Sequence, residues 1–164
     1  MPRATPIKPR IGITLGDPAG IGPEITVKAL KLAAIRRLAD FLVIGDLRIF
    51  TQYGGKISQG IEFLDMKMLA PSRIKIGETH AECGKAAYAY LQKSIDLLKS
   101  KAIDGLVTAP VSKEAIMLTG EHFLGHTEVL AQSFGVKDFE MMFAGGPFKT
   151  IIVTRHVPLK DIPK

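Results

Sequence analysis

The sequence predicts an α/β fold: three layers, with helices on both faces of a mostly parallel sheet. Two observations carry this. Short β-branched or apolar runs alternate with longer stretches of helical spacing, and Gly- or Pro-rich turns separate them. The 164 residues are also 46% hydrophobic, enough for a real core in one domain or slightly more.

The elements follow in order. Residues 1–10 read as a loose tail. "IGITLG" (11–16) alternates β-branched residues with glycine, as a buried strand does. A helix starts at Pro23 or Glu24, because proline suits the first helical position and glutamate suits the helix dipole. Val27, Leu30, Ala34 and Leu38 carry its apolar stripe. "FLVIGD" (41–46) is a second strand, and "LRIFTQYGG" a short helix closed by glycine. Residues 54–80 hold one or two short strands, around "IEFL" and "RIKI". From Cys83, Ala87, Tyr88, Leu91, Ile95 and Leu98 mark a helix running to about Ser100. "DGLVTAP" (104–110) is a strand broken by Pro110, and short helices follow near 112–119 and 127–134. "FEMMFAG" (139–145) and "KTIIVTRH" (149–156) read as two strands joined by "GGP".

Charge and composition narrow the function. Lys and Arg exceed Asp and Glu by 22 to 16, a net +6, but the positive residues are dispersed. A nucleic-acid protein shows a basic stripe, so that partner is not expected. The excess fits either a solvated surface or a site for anionic small molecules. One cysteine excludes a disulfide framework and fits a reducing cytoplasm. Cys83, at a helix start, is a low-pKa thiol or a small buried residue. No signal-length apolar region follows the basic N-terminus, and no run reaches the roughly 18 apolar residues of a membrane span. A soluble, cytoplasmic protein is expected.

Four stretches carry possible chemistry. "TLGDPAGIGPEI" (14–25) places glycines at 16, 20 and 22. That spacing is neither the dinucleotide fingerprint nor a P-loop, although Asp46 lies near the distance of a ribose-binding acid. A Gly- and Pro-shaped turn is the default, with an anion role at the helix N-terminus left open. In "TAPVSK" (108–113), Thr108, Ser112 and Lys113 follow a strand end, where ligands gather; an N-cap and a surface lysine explain them equally. "GHTE" (125–128) offers His126 and Thr127 from one turn, or a capping arrangement with Glu128. His156 in "TRHVP" ends an apolar strand, as a ligand-holding or a structural histidine. Neither histidine has a local metal-site partner. His80 and His122 carry no specific signal.

Taken together, "ITLGDPAGIGPEI", "ECGKAA", "DGLVTAPVSKEAI", "GHTEVLA" and "TRHVPLKDI" resemble, in order, the 4-hydroxythreonine-4-phosphate dehydrogenase family of vitamin B6 synthesis. The likeness runs from about residue 11 to the last residue. It implies an isocitrate/isopropylmalate dehydrogenase-like fold, with two α/β/α domains around a cleft, in a homodimer. Residues 11–125 would form part of the first domain, and 126–164 the beginning of the second, which binds metal and substrate. It implies NAD or NADP, and a divalent metal (Zn, Mg, Co or Mn) held by three histidines, one from the partner subunit. The reaction would oxidise 4-phosphooxy-L-threonine and decarboxylate it to 3-amino-2-oxopropyl phosphate. By motif, His156 becomes a metal ligand, and His126 and Thr127 become substrate binders. Asp17, Glu24 and Lys113 become cleft residues. Family members are roughly twice as long, so the chain is expected to be an N-terminal fragment or truncated homologue, inactive alone. Two alternatives stand beside this: a paralogue acting on 4-phosphothreonate or 4-phosphoerythronate, and an inactive ligand-binding domain.

Overall fold

The computed structural model describes residues 8–69, 74–154 and 157–162. The chain divides into two compact units, Met1–His126 and Thr127–Lys164.

The first unit is built on four parallel strands: β1 (Arg10–Thr14), β2 (Asp40–Gly45), β3 (Ile61–Asp65) and β4 (Gly105–Thr108), in the order β3-β2-β1-β4. β2 is a continuous apolar run because a central parallel strand is covered on both faces; Val43 and Ile44 are fully buried. At Gly12 of β1 the Ile103 side chain packs directly on the strand backbone, its Cδ1 2.6 Å from where a β-carbon would be. The connection from β1 to β2 crosses the sheet in one direction and that from β3 to β4 in the other. Right-handed crossovers therefore put their helices on opposite faces, making three layers.

α1 (Gly22–Lys31) opens with Pro23, has Glu24 in its first turn and Lys28 and Lys31 in its last. It buries Val27 and Leu30 in the core. The expected single helix to Leu38 is interrupted: Leu32 is extended (ψ 119°), and α2 (Ala33–Arg36) restarts after it. α3 (Leu47–Gln52) follows β2. The 19-residue α4 (Ala81–Lys99) buries Cys83, Ala86, Ala87, Tyr90, Leu91 and Ile95 at helical spacing. α5 (Lys113–Met117) lies so close to α4 that a β-carbon on Gly84 would meet the Ala115 carbonyl oxygen at 2.0 Å. A strand over "RIKI" is not formed within the described part: residues 74 and 75 are irregular and Ile76 is in a turn.

The second unit holds most of α6 (His126–Phe134) and an antiparallel hairpin, β5 (Met142–Gly145) with β6 (Phe148–Ile151). Gly146, at φ +54°, precedes Pro147 in its two-residue turn. That is the II′ pattern, with glycine at the position needing positive φ. A 3-10 turn, Leu159–Asp161, follows.

Candidate functional site

In open α/β sheets the carboxyl ends of the strands, where the strand order reverses, hold ligands. Here that place lies between β1 and β4, and two loops meet there. The loop after β1 is joined to the loop after β4 through backbone: Asp17 N–H donates to Pro110 O at 2.9 Å, and Ala109 N–H to Thr14 O at 3.2 Å. Gly16, at φ +69°, has no room for a side chain, since a β-carbon would meet Pro110 O at 2.2 Å. Gly22 is held equally tightly, its β-carbon position 2.2 Å from Leu15 O. These glycines serve chain packing, so the stretch 14–25 is a packed strand-to-helix turn.

Asp17 fastens this turn. Its Oδ1 accepts the Ala19 N–H at 2.9 Å, while the Ala19 carbonyl accepts Gly77 N–H at 2.8 Å. Burial raises the Asp17 carboxyl above its ordinary range; the Ala19 N–H and the nearby His80 pull it partly back. Cys83 sits beside it, buried, with its thiol pushed up to about 11 by burial and then by the Asp17 charge. The reading of a low-pKa thiol is corrected: this is a small buried cysteine, inert as a nucleophile. Glu24 is exposed enough to pair with Lys28 at 2.6 Å across one turn of α1.

Asp46, at the end of β2, is not free for a ribose. It is 3% exposed, accepts a hydrogen bond from the Tyr90 hydroxyl, and accepts Leu69 N–H at 3.1 Å. Burial and this carboxylate together push the Tyr90 phenol far above its usual range. Ser112 is the N-cap of α5, its hydroxyl accepting Ala115 N–H at 3.1 Å. Lys113, the first residue of that helix, is exposed, and its charge reaches His126.

His126 is the most suggestive side chain. Its ring stands edge-on to buried Phe123, centroids 5.7 Å apart, and Phe123 stands edge-on to Tyr88 of α4. Burial, then the Lys113 charge, lowers its pKa, so the ring is neutral at pH 7. Its Nε2 is buried with no hydrogen-bond partner among the described residues. Only two other described side-chain atoms share that condition, Thr14 Oγ1 and His80 Nε2, and the latter has Glu78 Oε2 at 3.6 Å, outside hydrogen-bond reach. Thr14 ends β1, His80 is the N-cap of α4 beside Asp17, and His126 faces the start of α5 after β4. Buried polar atoms without partners are rare in folded proteins, so these three are candidates for contact with a ligand. Thr14 and His80 escaped the sequence reading. Thr14's place at a strand end was the only available signal for it, and His80 had none.

Thr127 belongs to the second unit, where it borders a hollow of about 360 Å3 with Leu130, Phe134 and Phe139. His156 lies outside the described residues. Among the described residues no three His, Cys, Asp or Glu side chains gather as a metal site would require.

The fold and the packed loops define an α/β protein built on a parallel sheet. Residues 20–164 match the family described as pyridoxal phosphate biosynthetic protein PdxA, and the chain belongs to that family. A Synechocystis 4-hydroxythreonine-4-phosphate dehydrogenase is 34% identical over 95% of this chain and 50% of its own length. A Clostridium botulinum protein with the provisional name D-threonate 4-phosphate dehydrogenase is 33% identical over 93% of this chain and 51% of its own. The crystal structure of a 4-hydroxythreonine-4-phosphate dehydrogenase from Burkholderia phymatum superposes with a TM-score of 0.82 at 34% identity, covering 94% of this chain and 52% of that one. The chain thus spans about half the length of the relatives it matches.

Proposed function

We propose that the whole protein is an NAD- or NADP-dependent dehydrogenase of a small phosphorylated hydroxy acid. In this reading 4-phosphooxy-L-threonine is oxidised and decarboxylated to 3-amino-2-oxopropyl phosphate. Family membership supports the class. The observation that carries the assignment of residues is the buried, unpartnered Nε2 of the neutral His126. A neutral imidazole offers one donor and one acceptor, so it can hold a substrate hydroxyl or carboxylate without adding a charge. Thr127, next in the chain, would supply a hydroxyl to the same substrate. Residues 11–125 and 126–164 would belong to two domains, in a cytoplasmic homodimer.

The implied metal and dinucleotide do not find a complete site in the described residues. Among the described residues no ligand triad is present, the turn at 14–25 is filled by chain packing, and Asp46 is engaged by Tyr90. In this reading His156 would be one metal ligand, and a bound divalent metal would polarise the substrate oxygen. The part left to this half is binding and orientation, through His126 and Thr127.

A second reading is favoured by the Clostridium botulinum relative, whose name specifies D-threonate 4-phosphate. One assay separates the two. The full-length protein, supplied with a divalent metal and NAD or NADP, is given each phosphorylated acid, and reduced nicotinamide is followed by absorbance. Turnover of 4-phosphooxy-L-threonine supports the first reading, turnover of D-threonate 4-phosphate alone supports the second, and turnover of neither rejects both. In the active protein His126→Ala should lower kcat/KM by about thirtyfold, the loss of one substrate hydrogen bond to a charged group.

A further inference from the structure

We propose that the first unit carries a site for a small organic phosphate with an apolar body, at the amino ends of β2 and β3. A cavity of about 550 Å3 opens there, at the opposite end of the sheet from the loops after β1 and β4. Its floor is core: Val27 and Leu30 of α1, Phe50 of α3 and Ile61 of β3, each no more than 4% exposed. Its rim is cationic, with Lys31 at the end of α1, Arg36 at the end of α2 and Lys56 before β3.

Three details make this more than a scatter of surface charge. No carboxylate lines the cavity. Asp40, the acidic residue that starts β2, stands against Gly60, the neighbour of Ile61, and is not in the lining. None of the three cations is in an ion pair among the described residues, whereas Arg10, Lys28 and Lys75 each have a carboxylate partner. The wall is shaped to bring charge and floor together. Gly55 has no side chain because a β-carbon would strike the Phe50 ring at 2.5 Å, so the loop presses onto the aromatic floor. The Lys31 ammonium lies over Gly54, 3.3 Å from where a β-carbon would be. A fourth cation, Lys8, is tied to the same corner by donating to the Arg36 carbonyl at 3.3 Å.

Three unpaired cations around one mouth repel each other, and an anion relieves that repulsion. A phosphate monoester suits them better than a carboxylate, since it carries nearly two charges at neutral pH and three acceptor oxygens. Arg36 adds a planar fork suited to phosphate oxygens. The floor itself is closed over, and the aliphatic stems of Lys31, Arg36 and Lys56 above it give a ring or alkyl group a surface to lie on, favouring such a ligand over the bare ion. This site gives the net charge of +6 a place to act on a small anion.

The test is an amide-resolved NMR titration of the chain with phenyl phosphate, with inorganic phosphate and phenol as controls. Saturable shifts at Gly54, Gly55 and Lys56 are expected, weaker for either control alone. The Lys31→Gln, Arg36→Gln, Lys56→Gln triple variant should bind about tenfold more weakly, as three exposed charge contacts predict. All three positions are exposed, so the core resonances of Val43 and Ile44 should stay in place. Independently of any variant, added salt should weaken binding to the unmodified chain. Absent shifts at the loop, equal affinity in the triple variant, salt-independent binding, or inorganic phosphate binding as tightly as phenyl phosphate would each overturn the proposal.

Discussion

Single residues here are constrained mainly by what touches them. Gly84 is the sharpest case, because its missing side chain is where α5 passes. Gly84→Ala places a methyl group 2.0 Å from the Ala115 carbonyl oxygen, against backbone that cannot rotate away. Overpacking of this kind costs about 2 kcal/mol. Urea denaturation should show that loss, and an unchanged midpoint would mean α4 and α5 are less closely packed than the distance says. His126 makes a different prediction, through pH. Its folded pKa lies below the ordinary 6.5, so as pH falls the unfolded chain takes up the proton first. The stability it contributes is complete above pH 6.5 and is lost as pH falls through the folded value. His126→Gln removes this dependence. The stability difference between the parent chain and the variant should therefore shrink or reverse from neutral to about pH 5. A pH-independent difference would show that the ring is not desolvated. Residue identities announced some of this. His126 and Thr127 stand out in "GHTE", and Ser112 is legible as an N-cap. The role of His80 is not legible, because its neighbour Asp17 comes from a loop 63 positions earlier, as 80 − 17 shows.

Elements were legible where local chemistry decides them. Pro23 and Glu24 mark the start of α1, β-branched runs mark β1 and β2, and the 3.6-residue stripe marks α4. The break at Leu32 was hidden, because Ala34 and Leu38 keep a helical spacing across it. There the Leu32 N–H turns to Ala29 O, and α2 begins anew. What ties elements together was hidden as well. Tyr90 of α4 reaches Asp46 at the end of β2, 44 residues away, and no spacing rule connects them. Tyr90→Phe tests that link. The ring stays, the hydroxyl goes, and a buried carboxylate loses one donor, while Leu69 N–H remains. A hydrogen bond to a charged group is worth about 2 kcal/mol when its partner is left buried. The variant should lose that much in thermal or urea unfolding. A loss near zero would mean that water replaces the phenol, and the Asp46 pocket is wetter than its 3% exposure indicates.

At the scale of the whole chain, the two units differ in how much each buries. Met1–His126 holds a contiguous core running from Ile13 through Val43 and Phe50 to Tyr90 and Ile103. Among the described residues of Thr127–Lys164 only Ala131 is buried. Its hairpin leaves Met142, Phe143, Phe148 and Ile151 exposed along β5 and β6. A two-stranded ribbon in water is marginal without a surface to pack on, and its amides are paired only across one ladder. Local opening free energy follows buried apolar contact, so the two units should not unfold as one. Native-state hydrogen exchange reads this directly. The amides of β1 and β2 should exchange only through global unfolding, with a steep dependence on denaturant. The β5–β6 amides should exchange orders of magnitude faster, with little denaturant dependence, because opening them exposes little new surface. If the hairpin amides are instead protected as strongly as those of Val43 and Ile44, the second unit is held by contacts that its exposed side chains do not reveal. The chain would then behave as one cooperative body, with a single unfolding transition for every probe.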